Sequence, residues 1–540
     1  MAGDDYLQLS LDALQQLVDD TRVLQLNEKQ CGLFTKELLN VVTSIRAAVD
    51  RLPSEKQAFV RNQRKFALQE LYRWVTASAA IINSCRAEDW VKKAVQLHDT
   101  IEMFVEAIFN LRWCGAVLNR VILNAAKNHT TGSDLQHSVA VNIRRFGAAA
   151  CERKKEEIRN MLKEPAMQDH EDLRRRLHAE REGRGGVADG KLVAYLWELK
   201  PDSSAHGKKI LPKIDPEDYV LLEHIGGGTF GQVFKACWQG QDAAIKCFRR
   251  GDKSFEQEKE TMAGLSHPHL VRALGFSEHQ GGRCSLIMEL MAEDLESFMF
   301  RTSSNTRNAP FQFHVALDIM LQVAEPMQFL QMRRIAHRDL KPRNIVVSPV
   351  ENVKMAGYLL AKVCDLGSAK LCTSSYVHTP KVGTSLWRAP ELKEVTEPSD
   401  KPQKRNHPLQ VDAYSFAVTS SQILTGDDPY SSEIFLTRRE TLQKIEDEGL
   451  RPQLPPSLPP YLASLIQTCW HSDPRRRPNF AEICAHLRHL KAVLMIASML
   501  TNYQGSLLSS LSMRRRGPSW DWNSQQPAFA ALPIATRVTE

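Results

Sequence analysis

The first quarter of the chain has the apolar spacing of amphipathic helices. Up to about residue 125 the segment is nearly free of Pro and Gly, and apolar residues recur every three or four positions, as they do at Leu38, Leu39, Val42 and Ile45. Similar stripes run from Leu7 to Val18, from Phe59 to Val75, and as one long fourth helix from Trp90 to Val121. Since antiparallel helices bury such stripes against one another, this pattern predicts a four-helix bundle over residues 1–125.

Two helix starts in this segment carry capping-box signatures. The pairs are Asn27 with Gln30 and Ser54 with Gln57. In a capping box the first side chain accepts a free backbone N–H of the helix and the second reaches back to the first residue. We therefore expect helices to begin at these two positions.

Residues 126–214 are predicted to be a charged helical connector followed by a linker. The run 152–157, which mixes both signs, and the three arginines at 174–176 make this stretch densely charged, which favours exposed connecting helices. A Gly-rich break at 183–186 precedes a short amphipathic segment at 192–199, and a polar, Pro-punctuated linker starts at Pro201.

From about residue 215 the pattern changes to short apolar strands. The strand Tyr219 to Ile225 leads into the glycine-rich run 226–231, and a second strand ends at Lys246. A lone Gly-x-Gly-x-x-Gly is a weak signal for nucleotide binding, but the trailing Val233 and the Ala-Ala-Ile-Lys strand strengthen it. Glycine would let the backbone lie close to phosphates.

A lysine on a buried strand requires a carboxylate partner. Glu258, on the helical stretch after Lys246, is our candidate partner, and Glu256 and Glu260 are the alternatives.

The octamer 337–344, His-Arg-Asp-Leu-Lys-Pro-Arg-Asn, is the strongest motif in the sequence. It places the Asp339 carboxylate, which can accept a hydroxyl proton, five residues before Asn344, whose amide oxygen can hold a metal ion. Asp365-Leu366-Gly367 follows after two further predicted strands. Such a set suits phosphoryl transfer.

With these motifs, residues 215–495 resemble a eukaryotic protein kinase domain, which implies a bilobal α+β fold that uses ATP and Mg²⁺. The resemblance assigns catalytic roles to Asp339, Lys341, Lys246 and Glu258. It assigns metal binding to Asn344 and Asp365, and nucleotide binding to Lys246 and to Gly226, Gly228, Gly231, Val233, Ala244, Glu289 and Met291, the last two in a hinge that contacts adenine through its backbone.

Several further positions carry this resemblance. Lys341 and Gly383-Thr384 are typical of serine/threonine kinases, and Ser415-Phe416 and Cys469-Trp470 look like the tyrosine-kinase-like group of these enzymes. By the same resemblance Met288 guards the back of the pocket, Asp412 anchors the catalytic loop, Glu391 pairs with Arg477, and activation-segment phosphorylation is expected among Thr373, Ser374, Ser375, Tyr376 and Thr379.

The predicted bundle also resembles the N-terminal four-helix domain of the mixed-lineage-kinase-domain-like proteins. This likeness rests on the architecture and on positions such as Trp113-Cys114. It implies a regulatory or oligomerising bundle, with membrane engagement as the other reading. We expect residues 1–125 to fold on their own as an interaction module.

Composition narrows the class of protein further. The 540 residues are 43% hydrophobic and 25% charged, no apolar run is long enough for a membrane span, and the acidic N-terminus does not look like a secretory signal, so we expect a cytosolic protein. Eleven cysteines without a Cys-x-x-Cys pair argue against a zinc site, and a net charge of +7 is too dilute to indicate nucleic-acid binding. Residues 496–540 are predicted to be a mostly disordered tail, in which Ser519 is a candidate phosphosite.

The sequence thus predicts a multidomain protein with an α-helical N-terminal bundle and an α+β bilobal kinase domain. The main functional interpretation is an active serine/threonine kinase that acts on protein substrates, regulated or targeted by the bundle, which is also the expected site of self-association or of a regulatory partner. The alternative is an effector or scaffold in which the bundle acts on a membrane or partner and the kinase fold is a nucleotide-dependent switch. The lysine and both aspartates are present, which favours the enzyme.

Overall fold

The fold is described from a computed structural model. It describes residues 5–57, 65–97, 100–126, 147–183, 190–199, 210–228, 231–252, 254–303, 309–350, 357–372, 384–392, 409–433 and 436–498. Within these ranges no helix combines the length and the apolar character needed to cross a bilayer. The activation-segment hydroxyls from Thr373 to Thr379, the Gly383 position and the tail with Ser519 lie outside the described residues.

The N-terminal region has helices and no strand where it is described. Its helices are α1 (Tyr6–Asp19), α2 (Glu28–Asp50), α3 (Lys65–Cys85), α4 (Trp90–Leu97), α5 (Ile101–Ala126), α6 (Ala148–Arg181) and α7 (Gly190–Glu198). The predicted fourth helix of the bundle is in fact two helices, because α4 ends at Leu97 and α5 begins at Ile101, with the Thr100 C=O accepting the Phe104 N–H.

Neither predicted capping box forms. Asn27 adopts a left-handed conformation (φ 51°) and its side chain accepts no backbone N–H of α2, while its Nδ2 donates to the Leu97 C=O at 3.1 Å. The first turn of α2 is capped by Asp169 of α6, whose carboxylate accepts the N–H groups of Lys29 (2.8 Å) and Gln30 (3.0 Å). The cap that the Asn27–Gln30 pair was expected to provide thus comes from Asp169, 139 positions after Gln30.

The helix does start at residue 54, but its side-chain contacts also differ from the prediction. Gln57 Nε2 donates to the C=O groups of Asp50 (3.1 Å) and Leu52 (2.8 Å) at the end of α2. Gln57 therefore satisfies carbonyls at a helix C-terminus, which otherwise lack intrahelical donors.

The connector helix α6 is not the exposed helix that its charges predict. Lys155 and Asp169 are only 5% and 4% exposed, and each is buried because it serves as a polar contact to the bundle. Lys155 pairs with Glu106 of α5, and Asp169 caps α2. These charged residues of α6 therefore lie at its interface with the bundle.

A five-stranded antiparallel sheet follows, with strand order β1-β2-β3-β5-β4. The strands are β1 (Tyr219–Gly228), β2 (Gly231–Trp238), β3 (Gln241–Phe248), β4 (Ala273–Glu278) and β5 (Cys284–Glu289), and α8 (Ser254–Met262) connects β3 to β4.

The second lobe is mainly helical. Its helices are α9 (Leu295–Ser303), α10 (Phe313–Met332), α11 (Gln410–Thr425), α12 (Arg438–Gln443), α13 (Pro460–Cys469) and α14 (Phe480–Ser498). The short strands β6 (Glu293–Asp294), β8 (Ile345–Pro349) and β9 (Leu359–Val363) form one small sheet, and β7 (Ile335–Ala336) pairs with β10 (Lys370–Leu371).

The large sheet packs against the helical N-terminal region on one of its faces. Cross-strand partners share a face of a sheet, so the pairs Ala236 with Ala243 and Ile245 with Ile287 define this side. These residues are buried in the same apolar cluster as the bundle. At its edge the Tyr195 hydroxyl of α7 donates to the Leu274 C=O at 2.6 Å.

A cluster of buried charges joins the bundle to the helical lobe. We call Glu70 and Arg73 of α3, Asp318 of α10 and Lys491 of α14 the Asp318 cluster. Arg73 donates to both Asp318 oxygens at 2.9 and 3.0 Å. Lys491 Nζ lies 2.6 Å from Asp318 and 2.9 Å from Glu70.

The two positive and two negative charges of this cluster balance, and no side chain in it is more than 13% exposed. Burial alone raises the pKa of Asp318, but Arg73 and Lys491 outweigh it and bring the pKa down to about 2. The carboxylate is therefore ionised at neutral pH, and its stabilising effect is lost only as the pH falls from 3.8 towards about 2.

We predict that Asp318→Asn lowers the free energy of unfolding by about 3–5 kcal/mol, because it leaves Arg73 and Lys491 buried without their shared carboxylate. Urea titration of the full chain, followed by circular dichroism, measures the change.

Glu278→Gln is the matched control, because Glu278 pairs with Lys213 at the surface, where both side chains are about half exposed. We expect it to change the stability by less than about 1 kcal/mol. Equal effects of the two variants would contradict a stabilising role for the Asp318 cluster.

Candidate active site

The strand register places the predicted nucleotide-binding residues on the sheet face opposite to the bundle. Gly226 pairs with Val233, which pairs with Lys246. Two residues before Lys246, Ala244 pairs with Met288. Since side chains two apart on a strand point the same way, these five residues share one face.

The glycines of the loop are explained by different structural requirements. A Cβ at Gly231 would collide with the backbone C=O of Cys247 on β3, so the close approach of β2 and β3 requires glycine there. A Cβ at Gly226 would meet no described atom within 4 Å, and packing within the chain therefore does not explain this glycine. Close approach to a phosphate stays a prediction at Gly226. Gly228, the last residue of β1, pairs with Gly231.

Lys246 is the charged centre of this face. Its Nζ lies 3.0 and 2.7 Å from the two Glu258 oxygens and 2.7 Å from Asp365 Oδ1. Burial lowers the pKa of Lys246, but the two carboxylates outweigh it and raise the pKa above its usual value, so the lysine is charged at neutral pH. Of the three glutamates considered from the sequence, Glu258 is the partner; Glu256 pairs with Lys259, and Glu260 is exposed.

Four donors surround the Asp339 carboxylate. Oδ1 accepts the N–H (2.7 Å) and hydroxyl (2.8 Å) of Thr384, while Oδ2 accepts Lys341 Nζ (2.8 Å) and Asn344 Nδ2 (3.0 Å). Lys341 also donates to the Thr384 hydroxyl. These contacts fix the carboxylate between a cation and a threonine hydroxyl.

Asp412 of α11 holds the backbone of the catalytic loop, as the sequence predicts. Its carboxylate, 2% exposed, accepts the N–H groups of His337 (2.8 Å) and Arg338 (2.7 Å). Arg338 Nε in turn donates to the Ser368 C=O (2.7 Å), so the loop is tied to the Asp365 segment. Arg338 and Asp365 both have left-handed backbones (φ 67° and 62°), a strained conformation that is common at functional sites.

The second predicted ion pair of this lobe also forms. Arg477, whose side chain is fully buried, donates to both oxygens of Glu391 at 2.6 and 2.7 Å. Such a bidentate pair fixes the orientation of both groups. It holds the segment that ends at Glu391 against the loop before α14.

The donor set fits a magnesium ion. Asn344 Nδ2 is engaged by Asp339, which leaves the amide oxygen of Asn344 available for a metal, and the Asn344 C=O accepts the Cys364 N–H at 2.9 Å, next to Asp365. A carboxylate and an amide oxygen are ligands that Mg²⁺ accepts when phosphates and water complete its shell.

The predicted hinge has its side chains committed to the protein. The Glu289 carboxylate accepts both Lys362 Nζ (2.8 Å) and the Arg272 N–H (2.8 Å), and the Glu289 N–H donates to the Arg272 C=O. Met291 Sδ accepts from Ser348. A ligand at the hinge would therefore meet backbone groups, and the Glu289 N–H is not one of them.

The sequence did not reveal two features of this site. Thr384 was noted as a mark of the kinase class, but not as the residue that donates to Asp339. Arg272 carried no motif at all, although its side chain reaches the bundle, as described below. Both contacts join segments that are distant in sequence, so local patterns carry no signal for them.

Comparisons with known proteins agree with this geometry. A sequence model of the protein tyrosine and serine/threonine kinase family matches residues 219–487. A light-sensor protein kinase of Ceratodon purpureus is 36% identical over 53% of this chain and 22% of its own length. The serine/threonine-protein kinase STY17 of Arabidopsis thaliana is 29% identical over 52% of this chain and 45% of its own length. The matches thus span less than half the length of either relative.

One solved structure resembles the chain over nearly its whole length. The AtMLKL3 tetramer, determined by cryo-EM, matches 96% of this chain and 93% of its own chain with a TM-score of 0.70 and 23% identity. At this identity the likeness concerns the fold. It confirms the predicted fold class, a helical N-terminal region joined to an α+β bilobal domain.

We predict that Glu258→Gln reduces phosphoryl transfer by roughly 100-fold, because Lys246 then loses its second anionic partner and shifts relative to the nucleotide. Initial rates with the full chain measure the effect. Glu256→Gln, on the exposed side of the same helix, should keep a rate within twofold of the unmodified protein. A strong loss in Glu256→Gln with none in Glu258→Gln would overturn the assignment of the partner.

Proposed function

Because residues 219–487 belong to the protein tyrosine and serine/threonine kinase family, we propose that the chain is an active serine/threonine protein kinase of the cytosol, which transfers the γ-phosphoryl group of ATP to protein hydroxyls. The observation that carries the proposal is the set of contacts at Lys246. The helix carboxylate Glu258 and the metal-binding candidate Asp365 both lie within hydrogen-bond distance of the Lys246 ammonium. A chain that used this fold only as a scaffold, without binding a nucleotide, would not need this set.

The surroundings of Asp339 support a serine or threonine acceptor. Its Oδ1 accepts the hydroxyl of Thr384 at 2.8 Å, which is the contact that an incoming serine or threonine hydroxyl would make. In our proposal Asp339 accepts the substrate hydroxyl proton, and Lys341, 2.8 Å from Asp339, places positive charge beside the transferring group.

Asn344 and Asp365 would hold Mg²⁺ on the ATP phosphates. When bound, the ion would neutralise phosphate charge. Lys246 would orient the phosphates, and Glu258 would keep the lysine in place. These roles follow from the donor types and from the contacts described above.

We also propose that the bundle regulates the catalytic site through the segment 266–272, which follows α8. The Arg272 guanidinium donates to the C=O groups of Val95 (3.3 Å) and Gln96 (2.5 Å) at the end of α4. His267 Nε2 lies 3.8 Å from Glu106 of α5. Because α8 carries Glu258, contacts on this segment can hold the helix in the position that pairs with Lys246. Self-association through the helical region, expected from the sequence, stays a prediction.

Phosphoryl transfer by the purified full chain tests the main proposal. With radiolabelled ATP and a mixed peptide library, we expect phosphoserine and phosphothreonine as the products. Asp339→Asn should lower the rate by about 100- to 10,000-fold, the range typical for loss of a general base, and leave ATP affinity nearly unchanged.

The outcomes separate the hypotheses. Predominant phosphotyrosine would contradict the substrate class, and full activity of Asp339→Asn would contradict the site. No transfer by the unmodified chain would favour the effector or scaffold alternative.

For the regulatory proposal we predict that Arg272→Met lowers the transfer rate by about 2- to 30-fold, the range of usual coupling energies, and increases amide hydrogen exchange at the end of α4. Arg283→Met, an exposed arginine in the β4–β5 turn, is the control and should change neither. A reduced rate with unchanged exchange in α4 would contradict a route through the bundle and would place the effect at Ser266, whose hydroxyl also accepts from the Arg272 guanidinium.

A further inference from the structure

An arginine of the helical lobe lies beside the segment that contacts Asp339. Arg438, the first residue of α12, donates to the Ser385 hydroxyl through Nε at 3.1 Å and through Nη2 at 2.7 Å. Ser385 directly follows Thr384, whose N–H and hydroxyl both donate to the Asp339 carboxylate. Two side-chain contacts and one peptide unit therefore connect this guanidinium with the carboxylate at which the proposed transfer takes place.

The start of α12 is held by a capping box that does form. The Thr437 hydroxyl accepts the Glu440 N–H at 3.3 Å, and the Glu440 carboxylate accepts the Thr437 N–H at 2.7 Å. The Glu440 carboxylate also accepts the Thr437 hydroxyl, so it is committed to the cap. The box thus fixes the backbone at Arg438, while the Arg438 side chain remains exposed.

The charge of Arg438 is not neutralised within the described chain. Both of its hydrogen bonds end on the neutral Ser385 hydroxyl, and no described carboxylate lies within ion-pair distance of its guanidinium. Arg343 of the catalytic loop differs, because it pairs with Glu296 of α9. A guanidinium has five N–H donors, so Arg438 retains donors and a full positive charge for an anion that approaches from solvent.

The reach of a peptide determines where this cation can act on a substrate. The contacts of 2.7 and 2.8 Å and one Cα–Cα step place the guanidinium no more than roughly 14 Å from the Asp339 carboxylate. An extended peptide advances about 3.3 Å per residue, so this distance corresponds to about four residues. Because an acidic side chain covers part of the distance itself, a substrate residue up to three positions from the phosphorylated hydroxyl can meet Arg438.

We propose that Arg438 selects protein substrates that carry an acidic side chain within three residues of the phosphorylated serine or threonine, on one side of it. This inference deepens the proposed kinase function and rests on it. The planar guanidinium presents a fork of N–H donors, to which a carboxylate binds through both oxygens. Since the contact exists before and during the transfer, it lowers KM and leaves kcat unchanged.

A positional peptide library with the full chain tests the inference. Each peptide has one central serine among neutral residues, and glutamate or lysine at one of the three positions on either side. We expect glutamate on one side of the serine to raise kcat/KM about 3- to 10-fold over the neutral peptide, through a lower KM, as for an exposed charge-assisted pair. High salt should reduce this preference.

Arg438→Glu should reverse the preference, so that lysine at the same position gives the better substrate, and Arg438→Gln should abolish it. Arg439→Glu is the matched control, because this exposed arginine is next on the same helix and contacts no part of the segment 384–385 in the described structure. It should keep the preference for glutamate. Circular dichroism checks that each variant is folded.

The outcomes distinguish this inference from the proposed function. Equal rates on the glutamate, lysine and neutral peptides, or a glutamate preference that survives in Arg438→Glu and Arg438→Gln, would overturn the inference and leave the kinase function standing. An equal loss of preference in Arg439→Glu would indicate a general charge effect and would also overturn it. No transfer to any peptide would contradict the proposed function, and the inference with it.

Discussion

Lys246 is a cation inside the protein, and its need for negative partners determines the arrangement around it. The side chain is 8% exposed, and removing a charge from water is costly unless opposite charges replace the solvent. Glu258 brings α8 against the sheet, and Asp365 brings the segment after β9 to the same point. Asp365 then adopts a strained backbone that its neighbours must hold in place, which Arg338 does by donating to the Ser368 C=O.

The large sheet serves two neighbours through its two faces. One face presents Lys246 and the glycine loop to the proposed nucleotide site, and the other is buried with the bundle in one apolar cluster. Buried ionic contacts, such as those of the Asp318 cluster, also join the bundle to the helical lobe. Buried ion pairs add less net stability than apolar packing would, but removing or displacing one partner is costly. These pairs therefore fix the position of the bundle on the kinase domain.

Sequence patterns predicted what depends on local spacing or on motifs. The helix stripes, the strand that carries Lys246, the catalytic octamer and the contact of Asp412 with the loop all agree with the structure, although that strand continues to Phe248. Contacts between distant segments that no motif marks were missed, because no local pattern encodes them: Arg73 meets Asp318 across 245 positions. The same limit explains why the connector was predicted to be exposed. From the sequence alone the charges of α6 look solvated, but Lys155 pairs with Glu106 and Asp169 caps the N-terminus of α2.

The capping of α2 by Asp169 has a consequence for how the protein is made. Ribosomes add about 5–20 residues per second, so the 139 positions from Gln30 to Asp169 correspond to roughly 7–28 s of synthesis. During that interval the first turn of α2 has emerged while its capping carboxylate does not yet exist. A nascent chain halted before Asp169 therefore lacks the cap on the first turn of α2, so the bundle reaches its full set of contacts only after its connector has been made.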